Sequence, residues 1–265
     1  MEAISAIQPW FMALILTTPR ILVAFSILPM FTQPIFPALI RNGVMVVMSL
    51  ALLPLTHEQL LDMELNIANI ALLLVKESII GLAMGYAMSI PFWAVRGAGF
   101  LMDLQRGAMS ALFFSPTVAG MVSPLGNLMA QLATTMLFMG GGFLMLIQTL
   151  MMSYQTWPLD TFFPSFNAGT AKFFLQQMDS LMYTLVLIAG PFLALMFLID
   201  FGTGLVGRYL PQLNIFLVAM PIKSALVFFV LIFYVSIVGH YLHDIFINFG
   251  SHLQILDQLI NESGQ

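Results

Sequence analysis

Apolar residues run through this chain in long blocks, and polar residues gather in short clusters between them. Six blocks are long enough to cross a hydrocarbon core as helices, which takes about 20 residues each. They are Pro9 to Phe31, Leu39 to Leu55, Ile67 to Val95, Leu128 to Ser153, Leu181 to Ile199 and Leu213 to His240. The pattern predicts an all-α, polytopic membrane-type protein of kinked helical hairpins. Pro9, Pro19 and Pro29 each remove an intrahelical hydrogen bond, so the first block is expected to be kinked or broken more than once. Gly140 to Gly142 weaken the fourth block by about 1 kcal/mol each relative to alanine, so either a bulky neighbour fills that space or the helix bends there. Gly81-Leu-Ala-Met-Gly85 has the small-residue spacing that lets two helix backbones approach closely.

The clusters between the blocks are short. Thr32 to Pro37 is a turn, and Thr56 to Glu64 is an acidic connector of one or two amphipathic helical turns. The stretch from Arg96 to Gly126 is different: too apolar for a solvated loop and too interrupted for a lipid-facing helix. Arg96, Asp103 and Arg106 are costly beside hydrocarbon, and Gly97, Gly99 and Gly107 admit another backbone, so this stretch is expected to be buried against protein or to line a cavity. Pro116 and Pro124 frame a loop of small and apolar residues, Ser115 to Ser123. Arg41, Arg96, Arg106 and Arg208 fall on one side of the alternating spans, while Lys172, Glu58, Asp62, Glu64, Asp160 and Asp179 fall on the other. By the positive-inside rule both termini then lie outside the cytoplasm. The first block is too long, and too poor in basic residues ahead of it, for a cleaved signal, so insertion is expected to use that helix itself.

Composition sharpens this picture. The chain has 265 residues, 60% hydrophobic and 8% charged, and a mean hydropathy of +0.97, which belongs to a protein of the membrane or of a membrane-embedded assembly. A net charge of −4 without any basic stripe excludes nucleic acid as a partner. The absence of cysteine excludes disulfides and thiolate metal sites. No repeat and no linker divides the sequence, so residues 1–265 read as a single domain.

Arg20, Lys76, Glu77 and Lys223 lie inside apolar blocks, where an unpaired charge costs at least about 2.5 kcal/mol. An ion relay and a set of pairs that lock helix register both account for them. We take the second, because a relay needs several carboxylates within one pair of helices. Gly202-Thr-Gly-Leu-Val-Gly207 spells a dinucleotide fingerprint but follows a long apolar block where a strand is required. His240, His243 and Asp244 have metal-ligand spacing, but a zinc site would need a fourth ligand or an open position in an enzymatic pocket, and histidines at the membrane interface are commoner. No nucleophile, acid–base pair or phosphate loop stands out, so neither an enzymatic activity nor a cofactor is expected.

A family resemblance rests on several motifs in order. They are Arg41-Asn-Gly43, Ile90-Pro-Phe-Trp-Ala94, Gly99-Phe with Asp103-Leu-Gln-Arg-Gly-Ala108, Ser123-Pro-Leu-Gly126, Ser153-Tyr with Trp157-Pro158, and Phe162-Phe-Pro164. Phe201-Gly through Arg208, Pro211-Gln-Leu-Asn-Ile-Phe216 and Met220-Pro-Ile-Lys-Ser224 complete the set. Together they resemble the T subunit of the type III secretion export apparatus, the SctT/FliR family, and look closer to the injectisome branch than to the flagellar one. The resemblance implies a virulence-type protein-secretion component of the bacterial inner membrane. There it would join several R-type and S-type subunits and the switch subunit U in a helical export gate, partly on the periplasmic side, that passes unfolded polypeptides. It further implies that Phe113, Phe114, Ser115, Pro116, Met121, Val122, Ser123 and Pro124 belong to a plug loop in the conduit. Gly99, Asp103, Gln105, Arg106 and Gly107 would anchor it, Asp103 and Arg106 being able to meet at i, i+3 spacing. Arg208, Pro211, Gln212 and Asn214 would form a cytoplasmic tip that meets partners. The 21 methionines suit a passage that closes around varied chains. The competing reading is a six-helix small-molecule transporter, which should show similarly interrupted segments in two halves.

Overall fold

The computed structural model describes residues 2–31, 37–60, 66–108, 123–160, 168–210, 212 and 214–247. Among these, all regular secondary structure is helical: α1 (Glu2–Ile27), a 3-10 turn (Pro29–Phe31), α2 (Ala38–Leu60), α3 (Ile67–Gln105), α4 (Pro124–Met139), α5 (Gly142–Thr156), α6 (Ala168–Tyr209) and α7 (Ile215–Ile247). Five helices are long and apolar enough to cross a membrane, and the bent pair α4 and α5 makes a sixth if it crosses as one span.

The helices depart from the expected blocks in instructive ways. The first block breaks once, ahead of Pro29, and α1 runs unbroken through Pro9 and Pro19. In the turn that Pro19 loosens, the Thr17 and Thr18 hydroxyls donate to the Ala13 and Leu14 carbonyls at 2.7 Å each. The fourth block does break at its glycines. Gly141 sits in the left-handed region, with φ of 72°, where a side chain would be strained. Several helices outrun their blocks, α3 and α6 the furthest: α3 has 39 residues and α6 has 42. The Arg96 to Gly99 and Gly202 to Gly207 stretches, which read as interruptions, are helical throughout.

Two compact units divide the chain. The first comprises residues 1–90, 141–177 and 246–265. Ala13 and Leu16 of α1, Leu60 of α2, Leu73 of α3 and Leu159 make its buried apolar cluster. Here α1 and α3 touch backbone to backbone. A Cβ on Gly81 would fall against the Arg20 carbonyl, 2.9 Å from Arg20 Cα, and one on Gly85 would lie 2.8 Å from the Ala24 carbonyl. One turn further on, Ser89 Oγ donates to Gly85 O at 2.7 Å.

The second unit comprises residues 91–140 and 178–245. A Cβ on Gly99 of α3 would lie 2.7 Å from Gly126 Cα in the first turn of α4. Along α6 and α7, Thr184 and Tyr241 share a hydrogen bond of 3.0 Å, and Phe192 meets Tyr234 edge to face at 5.1 Å. The outer faces of both helices remain apolar, with Tyr183, Val186, Phe197, Phe229, Ile232 and Phe233 all exposed. Such faces require lipid or protein cover.

Glycines that touch a neighbour should respond differently from those that do not. Gly81→Ala forces α1 and α3 apart and is expected to cost about 1 to 3 kcal/mol. Gly202→Ala meets nothing within 4 Å and should stabilise its helix by up to about 1 kcal/mol. Thermal unfolding of the two variants in detergent checks the opposite signs.

Candidate functional site

Within the first unit, the charges of α1 and α3 and a glutamine of α2 converge on the end of a fourth helix. Arg20 of α1 makes a two-pronged pair with Glu77 of α3, Nε to Oε2 at 2.6 Å and Nη2 to Oε1 at 3.0 Å, and both side chains are wholly buried. Its remaining donors serve the C-terminal end of α5. Nη1 donates to Ser153 O at 2.8 Å and Nη2 to Trp157 O at 2.8 Å, while the guanidinium lies 4.0 Å above the Tyr154 ring. Lys76 Nζ reaches Glu77 Oε1 at 3.1 Å and donates to Pro158 O at 2.7 Å. Gln59 of α2 donates to Tyr154 O at 3.2 Å and accepts from Leu159 N at 3.1 Å. Two cations therefore face one carboxylate, and the surplus positive charge sits at the negative end of the α5 dipole. Arg20, Lys76 and Glu77 were singled out by sequence as charges and Ser153, Tyr154, Trp157 and Pro158 as a motif, though not as their partners; Gln59 was not singled out.

In the second unit, two of the expected anchor residues, Asp103 and Arg106, meet at one carboxylate, while Gln105 bonds Asp200 instead. Asp103 Oδ1 accepts from Arg106 Nε at 2.7 Å and pairs with Nη2 at 2.6 Å. Its other oxygen, Oδ2, accepts from Ser123 Oγ at 2.6 Å and from the Leu125 amide at 2.8 Å. Asp103 is fully buried. Ser123 is also the N-cap of α4, its hydroxyl accepting from Gly126 N at 2.9 Å, and Pro124 occupies the first helical position. With Asn127 N bonded to Ser123 O at 2.9 Å, every amide of that first turn has a partner. Gly107 earns its place by conformation. At φ of 81° it ends α3 in a Schellman turn, with Gly107 N to Leu104 O at 3.2 Å and Ala108 N to Asp103 O at 3.1 Å. Asp103 thus ties the residue after α3 to the residue before α4. Arg96, in contrast, is exposed and makes no ion pair among the described residues.

Of the expected plug residues, Phe113, Phe114, Ser115, Pro116, Met121 and Val122 lie outside the described residues, whereas Ser123 and Pro124 form the α4 cap just described. At the α6–α7 turn Arg208, Gln212 and Asn214 are exposed, and Pro211 lies outside the described residues. Gly207 allows the return there, because Ile215 packs where its Cβ would be. Lys223 pairs with Asp200, which also accepts from Gln105 Nε2 at 3.1 Å. Asp200 had no place in the sequence reading. It ends the apolar block before the one holding Lys223, and a search for a counter-ion to Lys223 would have found it. The Gly202 to Gly207 fingerprint lies inside α6 and has no strand before it.

Breaking the Arg20 and Glu77 pair from one side should be severe. Arg20→Met leaves Glu77 to Lys76 alone and strips the end of α5, so a loss of about 3 to 5 kcal/mol is expected. The double variant Arg20→Met with Glu77→Met should lose less than the sum of the singles, with a coupling of at least about 1 kcal/mol in a double-mutant cycle on detergent-solubilised protein.

Comparison with known proteins accords with the motifs. Residues 11–249 match the family model described as bacterial export proteins, family 1. The chain is 38% identical to the Yop proteins translocation protein T of Yersinia pestis, over 83% of this chain and 84% of that protein. It is 32% identical to the secretion system apparatus protein SsaT of Salmonella typhimurium, over 85% and 88%. With the flagellar biosynthetic protein FliR of Bacillus subtilis the identity is 27%, over 89% and 91%. Matched over nearly its whole length, the chain belongs to family 1 of the bacterial export proteins.

Proposed function

We propose that this chain is the T-type subunit of a type III secretion export gate in a bacterial inner membrane. It joins R-type and S-type subunits and meets the switch subunit U, and the pore they form passes unfolded secreted polypeptides. The observation that carries this reading is the Asp103 tie. A buried carboxylate, saturated by Arg106, Ser123 and the Leu125 amide, holds both ends of residues 109–122 at one place. A segment fixed at its base and carrying Phe113, Phe114, Pro116, Met121 and Val122 would fill a narrow lumen by apolar contact. Such a seal yields to a passing polypeptide because no directional bond has to break. The reading also accounts for the apolar outer faces of α6 and α7, which sister subunits would cover.

Two experiments test it. Replacing residues 115–121 by a Gly-Ser linker keeps the Ser123 cap and the Asp103 tie, so the complex should assemble. The expected outcome is inner-membrane leakage of ions and small solutes; an unchanged permeability with intact assembly would falsify the plug. For the tip, photo-crosslinking residues placed at Arg208 and Gln212 should trap export-apparatus subunits in cells. If lipid or nothing is captured at both positions, the tip has no such partner.

A further inference from the structure

The C-terminal turn of α3 is completed by a residue of α7, four helices further along the chain. The carbonyls of Met102, Asp103 and Leu104 take the amides of Arg106, Ala108 and Gly107 at 3.1 to 3.2 Å. The last one, Gln105 O, accepts from Lys223 Nζ of α7 at 3.1 Å. Lys223 also pairs with Asp200 of α6, and Asp200 accepts from the Gln105 amide. Met220, one turn before Lys223, lies with its Cε 3.0 Å from where a Cβ on Gly107 would be. The turn that carries Arg106 and Gly107 therefore rests on the α6–α7 hairpin through one rung of charges.

This rung differs physically from the Asp103 tie. Asp103 is inaccessible, while the Asp200 side chain is 37% exposed. The rung also borders a cavity of about 320 Å3, lined in part by Leu104, Phe216 and Met220. With Asp200 partly exposed and Lys223 buried, the pair is better screened than the sealed Asp103 contact, so of the two it gives way first. Asp200 and Lys223 each lie about two helical turns from the α6–α7 turn, where Arg208, Gln212 and Asn214 are exposed. We infer that Asp200, Lys223 and Gln105 are positioning residues through which the α6–α7 hairpin sets the C-terminal turn of α3, and with it the placement of Asp103 and Arg106. A partner that moves the hairpin moves that turn by way of the rung. The functional meaning rests on the export-gate reading, but the contact itself is testable without it.

The chain has no cysteine, so Ala108→Cys gives a single reporter just beyond the turn. In the full complex in native membranes, its labelling by a water-soluble maleimide is compared between the parent and variants at the rung. Lys223→Met and Asp200→Asn should each raise the labelling rate about fivefold, with complex assembly retained. Lys223→Arg, which keeps both the pair and a donor to Gln105 O, should stay within about twofold of the parent. Unchanged labelling in both charge-removing variants overturns the inference, as does an equal rise in Lys223→Arg. Where a charge-removing variant fails to accumulate, Gln105→Leu decides, since it deletes one hydrogen bond and leaves the ion pair. A rise of about twofold is expected there, and no rise overturns the inference. A loop replacement that does not leak, together with rung variants that label faster, would remove the plug and leave the rung standing.

Discussion

A carbonyl or amide at the end of a helix needs a partner, and in apolar surroundings water does not supply one. That constraint governs where the charges of this protein sit. The end of α5 takes Arg20, Lys76 and Gln59. The start of α4 takes Asp103 and Ser123, and the end of α3 takes Lys223. Each ion pair in an apolar helix is half of a larger arrangement in which the cation or carboxylate also closes a helix terminus. Removing a charge therefore undoes a helix end as well as a pair.

The division of labour between the pairs follows from their burial. Asp103 and Arg106 are sealed, and Asp103 already holds the chain on both sides of residues 109–122. Asp200 and Lys223 are partly open to their surroundings and join three helices. Both kinds of contact occur here within a few residues of one another.

Much of this was legible in the sequence, and the rest was hidden for identifiable reasons. Asp103, Gln105, Arg106 and Gly107 stood out because charges and a glycine closed an apolar run, and all four have structural roles. Lys223 stood out as a charge that needed a partner. Its partners stayed hidden because Asp200 lies at a block boundary and the Gln105 acceptor is a backbone atom, which no side-chain pattern records. Gln59 was missed for the same reason, since both its partners are backbone groups. Helix lengths were underestimated where an apolar run ended, in α3 and α6 above all, while the close approach expected at Gly99 is present. Gly97 and Gly99 serve close packing against Leu185 and Gly126, and Gly202 and Gly204 are simply helical. Pro9 and Pro19 do not break α1, which is continuous from Glu2 to Ile27.

Helix length carries one more consequence. At 39 and 42 residues, α3 and α6 each extend about 60 Å, twice the roughly 30 Å of a bilayer's hydrocarbon core. Tilting alone absorbs only part of that mismatch. Apolar turns of both helices must therefore project beyond the lipid, where only other protein can shield them. A newly made copy without its neighbours would carry a greasy overhang into water, an obvious mark for membrane proteases, so the abundance of this chain should follow that of the proteins that cover it.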